Sequence, residues 1–418
     1  MRARPAAVAL VLFTALPSAA AAAPSHRHPR PKVLLGIDVL ERENFAPLKG
    51  KRVGLIANRT SRDGQGRFTA EVLAAAPGVK LVEILALEHG FYLNPKTVLV
   101  SSSSIVLGGR SIAVRSLYRG GLSGMRPTPE DLSGVDVLVF DVQDIGVRFY
   151  TYLASMAIAM KAAKKAGVEF MVLDRPNPIT GSIVEGPILD DLSLRKESPT
   201  SFFAVPIRHG LTAGEMARFY NSELKDPQLV VVRMSGWRRS MWFGETGLRW
   251  TPPSPNILTP DAALLYSGLG IFESSNLAVG RGTAWPLRWV GAPWFDAAAA
   301  LKDLRAARLP GVRFVRADTV PTRAARYYAM EPCRGIRFIV TDRDTIRPLD
   351  IFLVLNKSVM KHNAADFRWD WLGLKEQMGT GRFRWLLGSK APLSRIREYF
   401  SRQSVAFEKI RRPYLLYR

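Results

Sequence analysis

The chain of 418 residues has one cysteine, Cys333, so it cannot form an internal disulfide and must be held by packed cores. That thiol, in "MEPCRGIRF", reads as packing rather than as a nucleophile. There is no H-E-x-x-H and no cysteine pair, and His89 and His209 stand isolated, so no metal is called for. G-x-G-x-x-G is missing after the first apolar run, where "NRTSRDGQG" stands instead; a nicotinamide or flavin is disfavoured and no cofactor is expected. G-x-S-x-G is missing too, which leaves a serine elbow without support. Acidic residues are scarce, 36 against 59 Lys and Arg for a formal charge of +23. Such a surface attracts polyanions. The basic residues are scattered, however, with no basic stripe and no zinc-finger or RNP-like motif, so nucleic acid is not the expected partner.

Past the first residues, no run is long and apolar enough to span a bilayer. The opening itself is different. Arg2 and Arg4 precede "PAAVALVLFTAL", and "PSAAAAAP" then supplies the small residues of a cleavage site, a pattern that predicts a secretory signal over residues 1–23. A retained anchor helix is the alternative. With the signal removed, the protein is expected in the periplasm or outside the cell, with no integral membrane segment. Residues 24–32, which include His26 and His28, read as a disordered lead-in.

From residue 33 a regular grammar begins. "KRVGLIAN", "VKLVEILALEHG", "DVLVFDVQD", "VEFMVLDRPNP" and "QLVVVRM" are short apolar runs. Between them lie helix-compatible segments: "FTAEVLAAA", "RFYTYLASMAIAMKAAKKAG" and "LTAGEMARFYNSEL", the last with Thr212 and Glu215 in capping-box spacing. Strands apolar on both faces that alternate with helices predict a covered, mostly parallel sheet: an α/β, Rossmann-like domain over 33–235. Beyond it the turn-rich stretch around Trp237, Trp242 and Trp250, strand-like "GVRFVRAD" and "GIRFIVTD", and helical patterns near 347–362 and 393–410 predict a smaller α+β auxiliary domain over 236–418.

In open α/β sheets, ligands bind beyond the carboxyl ends of the strands. Those ends carry Asn58; Glu88 and His89; Asp141, Gln143 and Asp144; and Asp174, Arg175 and Asn177. Taken singly, each could cap a helix or form a turn. Together, far apart in sequence but brought to one rim, they predict a site rich in carboxylates, amides and arginines. With the tryptophans, that mixture suits a carbohydrate. Glycoside hydrolysis needs a proton-donating acid and a second group for the oxocarbenium-like centre, and Glu88, leaving an apolar strand, is the natural candidate for the acid.

The ordered motifs "GIDVL", "GKRVGLIAN", "LEHG", "DVLVFDVQDIGVRFYTYL", "VLDRPNPITGSIVEGP", "PIRHGLTAGEMA", "WTPPSPNILT", "GRGTAWPLRWVGAPW", "TDRDTIRPL" and "PYLLY" resemble those of the NamZ-type exo-β-N-acetylmuramidases, from about Val33 to the C-terminus. The resemblance implies a Rossmann-like domain without nucleotide, an auxiliary domain, and a cleft between them. It implies release of N-acetylmuramic acid from the non-reducing end of peptidoglycan fragments, so that muropeptides or disaccharides are the expected partners. By motif, Glu88 matches the family's catalytic glutamate, and His89, Asp141, Gln143, Asp144, Arg148 and Tyr150 fall in cleft-facing segments. The second catalytic group is left open among Asp144, Glu273 and the sugar's own acetamido group. Arg148, Arg175, Arg208 and Arg281 are the candidates to pair with the lactyl carboxylate; Asn58, Asn177, His209 and Asn276 complete the expected binding set. Two departures stand out. The loop after "EHG", residues 91–109, is rebuilt, and Val279 sits where a glutamate is usual. A wall-glycan-binding paralogue without turnover is the second function they keep in view.

Overall fold

The computed structural model describes residues 33–91, 103–119, 121–196, 198–384 and 391–418. The expected signal peptide and lead-in, and most of the rebuilt loop, lie outside them.

The first half is built on a seven-stranded sheet in the order β3-β4-β2-β1-β5-β6-β9. Its strands are β1 (Arg52–Ala57), β2 (Lys80–Ala86), β3 (Ser103–Leu107), β4 (Arg110–Ser116), β5 (Val137–Asp141), β6 (Glu169–Leu173) and β9 (Leu229–Val232). All neighbours are parallel except β3 and β4, an antiparallel hairpin at one edge. That hairpin was not foreseen, because its serine-rich, half-exposed strands lack the apolar runs of the others. The expected mixed α/β, mostly parallel fold is what forms.

Alternate residues of each central strand serve two cores. Leu55, Ala57, Val137, Val139, Met171 and Leu173 point to one face. There they meet α1 (Gly36–Arg42) and α2 (Thr69–Ala75). Ile56, Leu138, Phe140, Phe170 and Val172 point to the other. That side is covered by α4 (Tyr152–Ala166) and α5 (Ala213–Leu224), the four-residue α3 (Gly121–Gly124) lying before β5. Both faces are thus dry, which is why the strands read as near-continuous apolar runs. At Gly36 any side chain would strike the backbone, its Cβ falling 2.5 Å from the amide nitrogen of Asp174; glycine lets α1 start hard against the end of β6. The Thr212 capping box forms as expected, with Thr212 Oγ1 accepting from Glu215 N and Glu215 Oε2 from Thr212 N.

The second core face continues without a break into the second half of the chain. It includes residues of α6 (Pro260–Leu269) and α8 (Pro348–His362), together with Phe383, Ile396, Phe400 and Phe407. A three-stranded antiparallel sheet of β10 (Trp289–Ala292), β12 (Arg334–Val340) and β11 (Val312–Arg316) packs with α7 (Ala297–Ala306). Helices α9 (Trp371–Met378) and α10 (Leu393–Arg411) follow, α10 lying on the small hairpin of β7 (Glu185–Ile188) and β8 (Pro206–Arg208). The last residues return to the first sheet: Tyr417 donates to Asp174 at 2.7 Å and Leu416 N donates to Glu215 at 2.8 Å.

Candidate active site

From β1 the chain proceeds to β2 on one side, whereas β5 leads to β6 on the other, so the crevice between the carboxyl ends of β1 and β5 is the topological switch point. Sheets of this kind place ligands there. Ala57 of β1 is in register with both Ala86 and Asp141, which brings the three post-strand segments beginning at Asn58, Leu87 and Val142 to one rim.

Glu88 and His89 form the turn that ends the second of these. His89 has φ of 68° and Gly90 φ of 74°, a left-handed pair that a side chain at His89 adopts at a cost of about 1 kcal/mol. The turn stops the strand abruptly and leaves both side chains at the surface. Glu88 keeps 24% of its side-chain surface, open to a substrate, with His89 Nε2 3.8 Å from Glu88 Oε1. Thr151 Oγ1, just before α4, donates to Glu88 Oε2 at 3.0 Å.

Around Glu88 stands a wall of tyrosines. Tyr118, Tyr150, Tyr152 and Tyr266 all lie close enough to feel its charge, though burial is the larger cause that raises each hydroxyl's pKa, Tyr118 to about 12. The rings of Tyr150 and Tyr152 are 4.6 Å apart, and Tyr150 meets Tyr266 edge to face at 6.3 Å. Tyr266 comes from α6, in the second half of the chain, and its hydroxyl donates at 3.4 Å to Glu273 Oε2. Arg281 Nε completes the series, donating to Glu273 Oε1 at 2.5 Å. Burial works against the Arg281 charge, but the Glu273 pair outweighs it and raises the guanidinium pKa, with Glu88 adding to the effect. Glu88 and Glu273, 185 residues apart, therefore share one tyrosine between them.

Tyr152 also lies close enough to the buried Asp144 to feel its charge. Asp144 accepts from Gly146 N at 2.6 Å through Oδ2, while Oδ1 has no partner among the described residues. Burial pushes its pKa up to about 7 against the opposing Gly146 and Ile145 amides. His209 faces it at 3.8 Å. Leu211 N donates to His209 Nδ1 at 3.1 Å, which assigns the ring proton to Nε2, on the Asp144 side. Burial, with Arg411 and Arg148 nearby, lowers the imidazole pKa to about 3, so His209 is neutral. Asn58 follows β1: its Oδ1 accepts from Thr60 N and Thr60 Oγ1, and its Nδ2 has no partner of ordinary geometry among the described residues. Buried polar atoms without partners are uncommon in folded proteins. Asn58, His89, Asp144, Tyr150 and His209 each carry such an atom, as do residues elsewhere in the described chain, so at this end of the sheet polar atoms are available to a ligand.

Other residues of the expected binding set have their polar groups engaged within the protein. Arg175 and Asp141 form a buried two-pronged pair, Nε to Oδ1 at 2.5 Å and Nη2 to Oδ2 at 2.8 Å, and Thr69 Oγ1 adds a third bond to the carboxylate. Gln143 Nε2 braces the carbonyls of Asp144 and Pro176, both at 2.8 Å. Asn177 closes its own turn between Leu211 O and Ile179 N, and Asn276 ties Asp366 O to Arg368 N. Arg148 points away from the rim into the final carbonyls of α9, with Nη2 2.5 Å from Gln377 O and Nη1 3.3 Å from Glu376 O; burial without a carboxylate lowers its pKa to about 9. Arg208 is paired with Glu185 at 2.9 Å. Arg281, by contrast, lines a cleft that opens to solvent, together with Glu273, Leu277, Ala278, Val279, Arg326 and Tyr327.

The site also contains residues that were not singled out from sequence. Thr151 stands inside the quoted "DVLVFDVQDIGVRFYTYL" motif without having been singled out, Tyr266 lies in a helix buried almost throughout, and Arg326 and Tyr327 sit in an irregular segment between β11 and β12. In each case the signal that marks them is spatial.

Comparisons with known proteins point to one family. The family model "Exo-beta-N-acetylmuramidase NamZ, N-terminal" matches residues 53–261, and its C-terminal counterpart matches residues 264–417. The chain is 34% identical over 425 residues to the peptidoglycan beta-N-acetylmuramidase NamZ of Bacillus subtilis, covering 98% of this chain and 97% of that one. Among solved structures, a DUF1343 family protein from Bacteroides fragilis superposes with a TM-score of 0.83 at 32% identity, covering 93% of this chain and 100% of its own. A second DUF1343 protein from the same organism gives 0.70 at 25% identity over 92% and 99%. Together the two matched halves and the near-full-length likeness show that the chain belongs to the NamZ exo-β-N-acetylmuramidase family.

Proposed function

We propose that this protein is an exported, exo-acting glycoside hydrolase that releases N-acetylmuramic acid from the non-reducing end of peptidoglycan fragments, with Glu88 as the general acid. The observation that carries the reading is the placement of Glu88 at the switch point, surface-accessible and fixed by Thr151, across Tyr266 from the Glu273–Arg281 pair. Two carboxylates gathered near one tyrosine are the minimal equipment for cleaving a glycosidic bond. Glu88 gives its proton to the leaving oxygen, and its bond from Thr151 fixes the carboxyl group's orientation for that transfer.

Glu273, paired with Arg281, faces the positive charge that develops at the anomeric carbon. The tyrosines supply apolar walls on which sugar rings stack. Export rests on the charged, then apolar, then small-residue order of residues 1–23.

The exo mode is tested by digesting soluble peptidoglycan strands and following products by mass spectrometry. Free N-acetylmuramic acid is expected as the first product. Early appearance of internal oligosaccharides would overturn it.

A further inference from the structure

The cleft beside Glu273 has a wall that the proposed chemistry does not use. Arg281 on one side is committed to Glu273 at 2.5 Å. Opposite it, Arg326 is exposed, its guanidinium lies over the Tyr327 ring at 5.1 Å, and its hydrogen bond in the cleft is a long 3.4 Å contact to the Glu273 carbonyl. The same cleft is lined by apolar Leu277, Ala278 and Val279, all buried. A cation with a lightly used fork beside a strip of aliphatic carbon matches a short group bearing a carboxylate and a methyl. The cleft is shallow and opens to solvent, so it suits one substituent of a sugar lying outside it rather than a second saccharide.

We infer that Arg326 is the specificity-determining residue for the lactyl side chain of the sugar, pairing with its carboxylate while Leu277, Ala278 and Val279 receive its methyl group. The inference rests on the proposed muramidase reading. Arg281 then serves chiefly to hold Glu273, and Arg326 reads the substituent that distinguishes N-acetylmuramic acid from N-acetylglucosamine. A guanidinium binds a carboxylate bidentately, which an ammonium cannot do, so lysine substitutes poorly here. Arg326 is exposed, and its replacement leaves the fold intact.

The test is calorimetric titration of free N-acetylmuramic acid and of its lactyl methyl ester into wild type, Arg326→Ala and Arg326→Lys, with kcat and KM measured in parallel on the 4-nitrophenyl β-glycosides of N-acetylmuramic acid and N-acetylglucosamine. Loss of one charge-assisted pair in a half-open site predicts a Kd for the acid raised roughly tenfold or more by Arg326→Ala. The ester should bind all three proteins alike, the effect on turnover should fall on KM rather than kcat, and Arg326→Lys should recover little. Equal Kd of the acid for wild type and Arg326→Ala overturns the inference, whatever the turnover. Arg326-dependent binding without hydrolysis supports it and counts against the catalytic reading alone.

Discussion

Replacing Arg175 by methionine separates two roles that look alike in sequence. Arg175 and Asp141 expose only 5% and 1% of their side chains, and each is the other's charge partner within the described residues. Methionine keeps much of the aliphatic stem but leaves the Asp141 carboxylate with Thr69 Oγ1 as its remaining side-chain donor. It also strips the Arg62 carbonyl of its 2.8 Å bond. Breaking a buried pair from one side costs about 3–5 kcal/mol, a large share of the roughly 5–15 kcal/mol by which folded proteins are stable. In a urea titration followed by tryptophan fluorescence, Arg175→Met should unfold at a markedly lower midpoint. The double variant Asp141→Asn/Arg175→Met, which buries no lone charge, should regain much of the loss. Whatever folded Arg175→Met remains should keep its KM within about twofold. A wild-type unfolding midpoint combined with a KM raised tenfold or more would refute the reasoning and return Arg175 to substrate binding.

Two further perturbations address the cleft. Burial raises the Asp144 pKa from its ordinary 3.8 to about 7, so between those values the native state holds a proton that the unfolded chain releases. Its contribution to stability is complete below pH 4 and is lost as pH rises through 7, a swing on the order of 4 kcal/mol. The stability of Asp144→Asn relative to wild type should therefore improve between pH 4 and pH 8 in chemical denaturation, and a pH-independent difference would contradict the burial argument. In the proposed mechanism Glu273→Gln removes the carboxylate assigned to the anomeric centre and frees Arg281; kcat on the chromogenic muramic glycoside should fall by roughly 10²-fold, and an unchanged kcat would remove Glu273 from the chemistry.

The parallel sheet was legible because its central strands are apolar on both faces, so that "DVLVFD" and "VEFMVL" announce themselves without context. So was the rim, since strand ends in such a sheet converge wherever the strands are parallel. The roles of the arginines were not. Arg175 finds Asp141 34 positions away and Arg148 finds Gln377 229 positions away, and no local pattern distinguishes a guanidinium aimed at a carbonyl from one aimed at a ligand. Tyr266 and Arg326 were missed for a related reason: Tyr266 owes its place to the approach of the second half of the chain to the first, and Arg326 to the folding of its loop against residues 273–281. His89 shows the intermediate case. Its position after an apolar strand could be read, whereas its left-handed backbone, which turns it and Glu88 to the surface, follows from the packing of the turn.

The central claim is that Glu88 donates the proton in glycosidic cleavage. It is tested most directly by chromophore release from the 4-nitrophenyl β-glycoside of N-acetylmuramic acid by wild type and Glu88→Gln, with the thermal unfolding of both proteins as the control. Glutamine retains the ability to accept from Thr151 and cannot give up a proton, so turnover should fall at least 10²-fold with unfolding unchanged. Because 4-nitrophenol is a good leaving group, the deficit should be larger on the natural disaccharide. Near-normal hydrolysis of both substrates by a folded Glu88→Gln protein would contradict the account.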